Sequence, residues 1–225
     1  MRVMGNTGNA AWEAYWADKA NHEWWELPAP EVVDFIASQP ADRMPRVLDL
    51  GCGLGRHAIA SALAGHRVTA TDASTEAITH LNEWAARLGL SVETRICDVL
   101  AGGFAGGSFD IVLSYNVIYH GLRQQFARAI EHISFLLKPG GLLFFTCPTR
   151  RDGKYGFGKE VAPHTFLCEK SITPGDIHYF ADEADLDELL AGFRIVSRSA
   201  SEGHFENRGI QQFYSNWIVV AEKPL

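Results

Sequence analysis

Val47-Leu48-Asp49-Leu50-Gly51-Cys52-Gly53-Leu54-Gly55-Arg56 is the stretch from which the fold follows. A short apolar run enters three glycines at alternate positions, and Ile59, Ala60 and Leu63 then recur at helical spacing. Glycine admits positive φ and lets backbone N–H groups approach a ligand with no Cβ in the way. A strand–turn–helix of this kind places the turn at the carboxyl end of a strand, where open α/β sheets bind ligands. A dinucleotide site needs G-x-G-x-x-G. Here the third glycine arrives one residue early, at Gly55, and Arg56 stands in its place. Asp49 adds an anion where a pyrophosphate would be repelled.

Outward from this loop, β-rich runs alternate with helical patterns. Arg46 to Leu50, Arg67 to Thr71, Ser91 to Ile96, Phe109 to Ser114 and Leu142 to Cys147 read as strands. Ile78, Leu81, Ala85 and Leu88 follow a Ser74-Thr75-Glu76 start signal. Phe126, Ile130, Ile133 and Leu137 precede a Lys138-Pro139-Gly140-Gly141 stop. This rhythm predicts right-handed crossovers and a parallel sheet covered on both faces. Near the end, Asp182 caps a helix carrying Leu186, Leu189, Leu190 and Phe193. Two strands follow, Phe193 to Ser199 and about Phe213 to Glu222, with no helix between, so they form an antiparallel pair. The expected fold is one α/β domain over 1–225: a Rossmann-like, seven-stranded, mostly parallel sheet whose last strand is antiparallel, with helices on both faces.

Two segments stand outside that sheet. Residues 1–30 hold four of the six tryptophans, Trp12, Trp16, Trp24 and Trp25, beside Tyr15. Residues 148–180 read as a long connection rich in Gly, Lys and aromatics, a substrate-side insert.

Composition bounds the partners. The chain has 225 residues, 47% apolar, and a formal net charge of -7 with no basic run. Nothing in it attracts a phosphate backbone by bulk electrostatics, which disfavours nucleic acid and favours small or weakly charged partners. Cys52, Cys97, Cys147 and Cys168 are scattered, without C-x-x-C pairs or His at ligand spacing. Free thiols in a reducing compartment, and no metal, are therefore expected. With no signal pattern and no membrane-length apolar run, the expectation is a soluble cytoplasmic protein.

Asp72 closes the second strand, 21 residues after Gly51. An acid at this place holds a nucleoside ribose, its oxygens accepting from both hydroxyls, and it can also cap the next helix. With Cys97-Asp98, Phe109-Asp110-Ile111-Val112 and Leu137-Lys138-Pro139-Gly140-Gly141, the ordered series resembles the motifs of class I S-adenosylmethionine-dependent methyltransferases. It covers roughly residues 46 to 147, and the small-molecule branch is the better match, with a loose similarity to tellurite-resistance and thiopurine enzymes.

The resemblance implies S-adenosyl-L-methionine as cofactor and S-adenosyl-L-homocysteine as product. It implies that Asp49 faces the methionyl ammonium and that Gly51, Cys52, Gly53 and Gly55 run under the methionyl and ribose groups. Asp72 would take the ribose hydroxyls beside Ala73. Asp98 and Val99 would meet the adenine, and Asn116 would line the methionyl end. After the fourth strand, Ser114-Tyr115-Asn116-Val117-Ile118-Tyr119-His120 lacks the Asn/Asp-Pro-Pro-aromatic run of enzymes that methylate adenine or glutamine amides. It also lacks the Pro-Cys of cytosine C5 enzymes, so Cys147 reads as a buried thiol. A small-molecule acceptor remains, with protein methylation as an alternative.

His120 is the candidate base, against a simple polar role in the first turn of the following helix. Tyr119, His164, Phe166 and His178 could line the acceptor pocket or merely pack their loops. Tyr15 and Trp16 either close over the cofactor as a lid or dock the first helix. A non-catalytic module that binds S-adenosylmethionine stays open at this point. A nicotinamide oxidoreductase is disfavoured by the loop spacing and the terminal strand pair.

Overall fold

The computed structural model describes residues 7–40, 43–168, 175–207 and 210–225. Parts of both segments singled out in the sequence, residues 1–6 and 169–174, lie outside them. The strands are β1 (Arg46–Leu50), β2 (Arg67–Asp72), β3 (Val92–Ile96), β4 (Phe109–Ser114) and β5 (Leu137–Pro148). They continue with β6 (Lys159–Ala162), β7 (Thr165–Cys168), β8 (Asp176–Tyr179), β9 (Arg194–Asn207) and β10 (Ile210–Glu222). The helices are α1 (Thr7–Ala17), α2 (His22–Glu26), α3 (Pro30–Ala37), α4 (Arg56–Leu63), α5 (Thr75–Arg87), α6 (Arg123–Leu136) and α7 (Glu183–Leu189).

Seven strands form the main sheet in the order β3-β2-β1-β4-β5-β10-β9. Pairing is parallel from β3 to β5, while β10 is antiparallel to both β5 and β9. The alternation of side chains in β1 and β4 sets the two faces. Leu48, Leu50 and Val112 pack with Phe126, Ile130 and Ile133 of α6 and Leu186 of α7. Val47, Ile111 and Leu113 pack with Val32, Phe35 and Ile36 of α3. A third cluster joins Ala58 and Ile59 of α4 to Val68 and Ala70 of β2 and to Ile78, Leu81 and Ala85 of α5. Each fully buried aliphatic side chain of this kind contributes about 1.5–3 kcal/mol.

Three expectations change. Residues 148–180 are not a bare connection, because β6, β7 and β8 pair as a second, antiparallel sheet. Strands of four residues carry too short a period to stand out from loop sequence. The last two strands are also longer than predicted. They form a hairpin paired from Arg194↔Glu222 to Asn207↔Ile210, with a polar outer half that inter-strand hydrogen bonds hold together. Finally, β5 begins at Leu137. Lys138 to Gly141 bulge out as the register shifts from Phe109↔Leu137 to Ile111↔Leu142, with Gly140 at φ 76°. Among the described residues, no helix is long and apolar enough to cross a membrane.

Candidate active site

The strand order reverses between β1 and β4, and a cleft of about 1560 Å³ opens at that switch point. The glycine loop, Asp72, Asp98 and Asn116 line its floor. Trp12, Tyr15 and Trp16 of α1 cover one side. Ile177 and His178 of β8, and Ser201, His204 and Tyr214 of the β9–β10 hairpin, close the other.

Gly51, Gly53 and Gly55 take φ of 73°, 52° and 92°, a region that side chains strain to enter. The Gly51 and Cys52 N–H groups donate to Thr71 O at 2.8 and 2.9 Å, tying the loop to β2. The Gly53 N–H donates to Asp72 Oδ2 at 2.8 Å and the Ser74 N–H to Asp72 Oδ1 at 2.9 Å. Each carboxylate oxygen keeps acceptor capacity toward the cleft. Burial raises the Asp72 pKa, and these N–H donors pull against that rise.

Asp49 and Gly55 lie just behind the cleft lining. Gly55 is the N-cap of α4, in the left-handed region and without a side chain to cap it. The Asp49 carboxylate supplies the cap instead, accepting from the Ala58 N–H, while Oδ2 is buried with no partner. Burial pushes the Asp49 pKa up to about 7. A Cβ on Gly55 would lie 2.3 Å from Leu81 Cδ1, so this glycine serves the packing of α4 on α5. A Cβ on Gly51 would lie 2.5 Å from Val117 Cγ1, on the cleft side of the loop.

Asp98 accepts from the Leu100 N–H at 3.0 Å and turns the chain at the cleft edge, with Val99 beside it. Asn116 sits at φ 60°. Thr146 Oγ1 holds it there, accepting from the Asn116 N–H at 2.9 Å and donating to Asn116 Oδ1 at 3.0 Å. An orphaned buried carboxylate oxygen, a glycine-rich loop and a pre-positioned Asp72 together fit an amino-acid-bearing nucleoside such as S-adenosylmethionine.

Residues 47–141 match the family profile described as "Methyltransferase domain". The ubiquinone biosynthesis O-methyltransferase of Brucella anthropi is 35% identical over 196 residues, 84% of this chain and 76% of that protein. The chain belongs to the class I S-adenosylmethionine-dependent methyltransferases. Solved structures share the fold. A methyltransferase from Methanosarcina mazei superposes with a TM-score of 0.73 at 21% identity, covering 88% of this chain and 99% of that one. The Burkholderia thailandensis 1,6-didemethyltoxoflavin-N1-methyltransferase, solved with 1,6-didemethyltoxoflavin and S-adenosylhomocysteine, gives 0.68 at 20% identity, covering 100% and 93%. S-adenosylmethionine is thus the cofactor of this enzyme.

In this methyltransferase α1 rests on the glycine loop. A Cβ on Gly53 would lie 3.1 Å from Trp16 Cζ2, and the Trp16 ring, 6% exposed, packs with Leu54 and Ala77. Trp12 stacks on Trp16 and meets His120 edge-on at 5.5 Å, so α1 spans the cleft from the loop to the far end. The Trp25 Nε1–H donates to Tyr15 Oη at 2.8 Å.

At that far end the His120 Nε2–H donates to Asn116 O at 3.1 Å, which fixes the tautomer and leaves Nδ1 bare. The ring stacks on Tyr119 at 4.4 Å and meets His178 edge-on at 4.6 Å. Burial lowers the His120 pKa to about 4, and burial likewise depresses His178. The structure brings Tyr119, His120 and His178 together.

His164 and Phe166 do not line the cleft. His164 Nδ1 is bonded to Tyr155 Oη at 2.7 Å, and Phe166 packs with Cys168 and Phe180 under the small sheet. His164 lies in the β6–β7 turn, and Phe166, although on the same face as its register partner His178, is covered by the rings of Tyr155 and Phe180. Cys147 is fully buried, as expected of a structural thiol.

Some residues escaped the sequence reading. Arg56 lies between Trp25 and Tyr115, 4.9 and 5.2 Å from their ring centres, and donates to Leu27 O at 2.9 Å. Tyr115 Oη donates to Glu31 Oε1 at 2.8 Å, so these contacts fasten α2 and α3 to the loop. Asp176, 7% exposed beside His120, was also missed. Only an acid two residues before His178 hinted at it.

Proposed function

We propose that the enzyme methylates an oxygen of a small aromatic acceptor bound between α1 and β8. The carrying observation is a chamber formed by Trp12, Tyr119, His120 and His178 that is continuous with the glycine loop. Flat aromatic walls suit a ring, and bare imidazole nitrogens suit a hydroxyl. The name of the Brucella relative, an O-methyltransferase, supports oxygen as the atom.

When bound, S-adenosylmethionine supplies an electrophilic sulfonium methyl that is displaced in line. The chain's own residues do the rest in this reading. Asp72, with Ala73, holds the ribose; Asp98 and Val99 border the adenine; Asp49 and the Gly51-Cys52-Gly53 backbone seat the methionyl end with Asn116. Tyr119, His120 and His178 orient the acceptor oxygen, and Trp12, Tyr15 and Trp16 exclude water. The free thiols agree with a reducing, cytoplasmic setting.

A panel of phenols, catechols, amines and thiols, followed by S-adenosylhomocysteine release, tests the acceptor class. Turnover should appear with hydroxylated aromatics. Turnover confined to amines or thiols, or to a protein substrate, would sink the proposal. Trp16→Ala tests the lid. Losing an aromatic face against a sulfonium costs roughly 0.5–2 kcal/mol, so S-adenosylmethionine should bind about 2- to 30-fold more weakly by calorimetry. Unchanged affinity would reduce α1 to a docking helix.

A further inference from the structure

Among the described residues, His120, Asp176 and His178 each offer a ligand atom, and these atoms lie within 4.8 Å of one another. His120 comes from the turn after β4, whereas Asp176 and His178 are alternate residues of β8. An isolated antiparallel bridge between His120 and His178 draws the two segments together, with the Gly121 N–H donating to Ile177 O at 2.7 Å. His178 is 2% exposed and both its ring nitrogens lack any partner. Buried polar atoms are rarely left so, because each unmade hydrogen bond costs about 1–3 kcal/mol.

His120 carries the signature of a ligand held ready. Its Nε2–H is committed to a backbone carbonyl, and Nδ1 faces Asp176 Oδ2 at 3.7 Å. Metal-bound histidines characteristically donate their other N–H in this way. Lys154 is the cation nearby, and its charge is offset by the buried Asp152, whose Oδ1 lies 3.8 Å from Lys154 Nζ.

We propose that His120, Asp176 and His178 bind one divalent transition-metal ion at the acceptor end of the cleft. Two imidazoles and a carboxylate suit zinc, iron or cobalt over magnesium, which prefers oxygen ligands and near-ideal octahedral geometry. Tetrahedral bonds of about 2.0–2.2 Å require the ligand atoms, now within 4.8 Å of one another, to close by up to ~1.4 Å. Three protein ligands leave positions open for the acceptor oxygen. This part rests on the reading of an oxygen acceptor: its O–H proton passes to solvent, the O–CH3 bond forms and the S–CH3 bond breaks. A bound cation lowers the pKa of that oxygen, so no protein base is needed.

The test uses chelator-stripped full-length protein titrated with Zn2+ and Co2+, with S-adenosylhomocysteine affinity measured in parallel. Wild type should bind one equivalent, and zinc X-ray absorption should show two imidazole ligands. His178→Gln and Asp176→Asn should each weaken metal binding by tenfold or more while keeping S-adenosylhomocysteine affinity. His80→Ala, which removes the separate His22–Glu26–His80 cluster, should leave the equivalent in place. Absence of binding, a shell without imidazole pairs, or loss in His80→Ala with retention in His178→Gln would overturn the proposal. Loss of S-adenosylhomocysteine binding in wild type would instead overturn the cofactor cleft, and metal binding with no oxygen acceptor found would overturn the acceptor class alone.

Discussion

Asp72→Ala should bind S-adenosylhomocysteine roughly 10- to 150-fold more weakly than wild type. The side chain does two jobs, and both are lost together. Its oxygens accept from the Gly53 and Ser74 N–H groups beside the left-handed loop, and in the proposed pose their remaining lone pairs take the ribose hydroxyls. Charge-assisted hydrogen bonds of this kind are worth about 1.5–3 kcal/mol, and ~1.4 kcal/mol is a factor of ten. Asp72→Asn should fall between the two, since the amide keeps one acceptor oxygen. Calorimetry at fixed pH reads the effect. Wild-type affinity in Asp72→Ala would place the ribose elsewhere.

Asp49→Asn should act in opposite directions on stability and on binding. Burial raises the Asp49 pKa from 3.8 to about 7. Between those values the folded protein keeps a proton that the unfolded chain has lost. Its contribution is therefore full at acid pH and falls as pH rises to about 7. The penalty above pH 7 is at most about 4 kcal/mol, at ~1.36 kcal/mol per unit. Asn is neutral throughout, so the ligand-free variant should be more stable than wild type at pH 8, and the difference should shrink toward pH 4. A bound ammonium offsets that penalty in wild type, so the variant should bind S-adenosylhomocysteine more weakly at pH 8. Denaturation curves at pH 4, 6 and 8 check the first effect. A difference that does not change with pH would mean that Asp49 is ionised in the folded protein at all three values.

Much of the fold was legible because its signals are local. Val47, Leu48 and Leu50 show which faces β1 buries, and Ile78, Leu81 and Ala85 show one helical stripe. Phe109–Ser114 begins and ends where its apolar run does. The outer half of β9, Ser201 to Asn207, has no such run. It is a strand because Ile210 to Asn216 pairs with it. The β6–β8 sheet is likewise a product of pairing, with Phe166 opposite His178.

The sequence by itself determined the glycine turn and the acids at the strand ends. Three glycines and two acids sit within a few residues of strand ends, and the positive φ of such a turn follows largely from residue type. Tertiary structure decided the far end of the cleft. His120 and His178 are far apart in the chain, and no spacing rule joins them; they meet because β8 bridges onto the turn after β4. The same docking leaves His178 at the cleft while Tyr155 and Phe180 cover Phe166, and sets Asp176 beside His120. Contacts of this kind exist only after the chain has collapsed, when burial removes the water that would have satisfied those nitrogens.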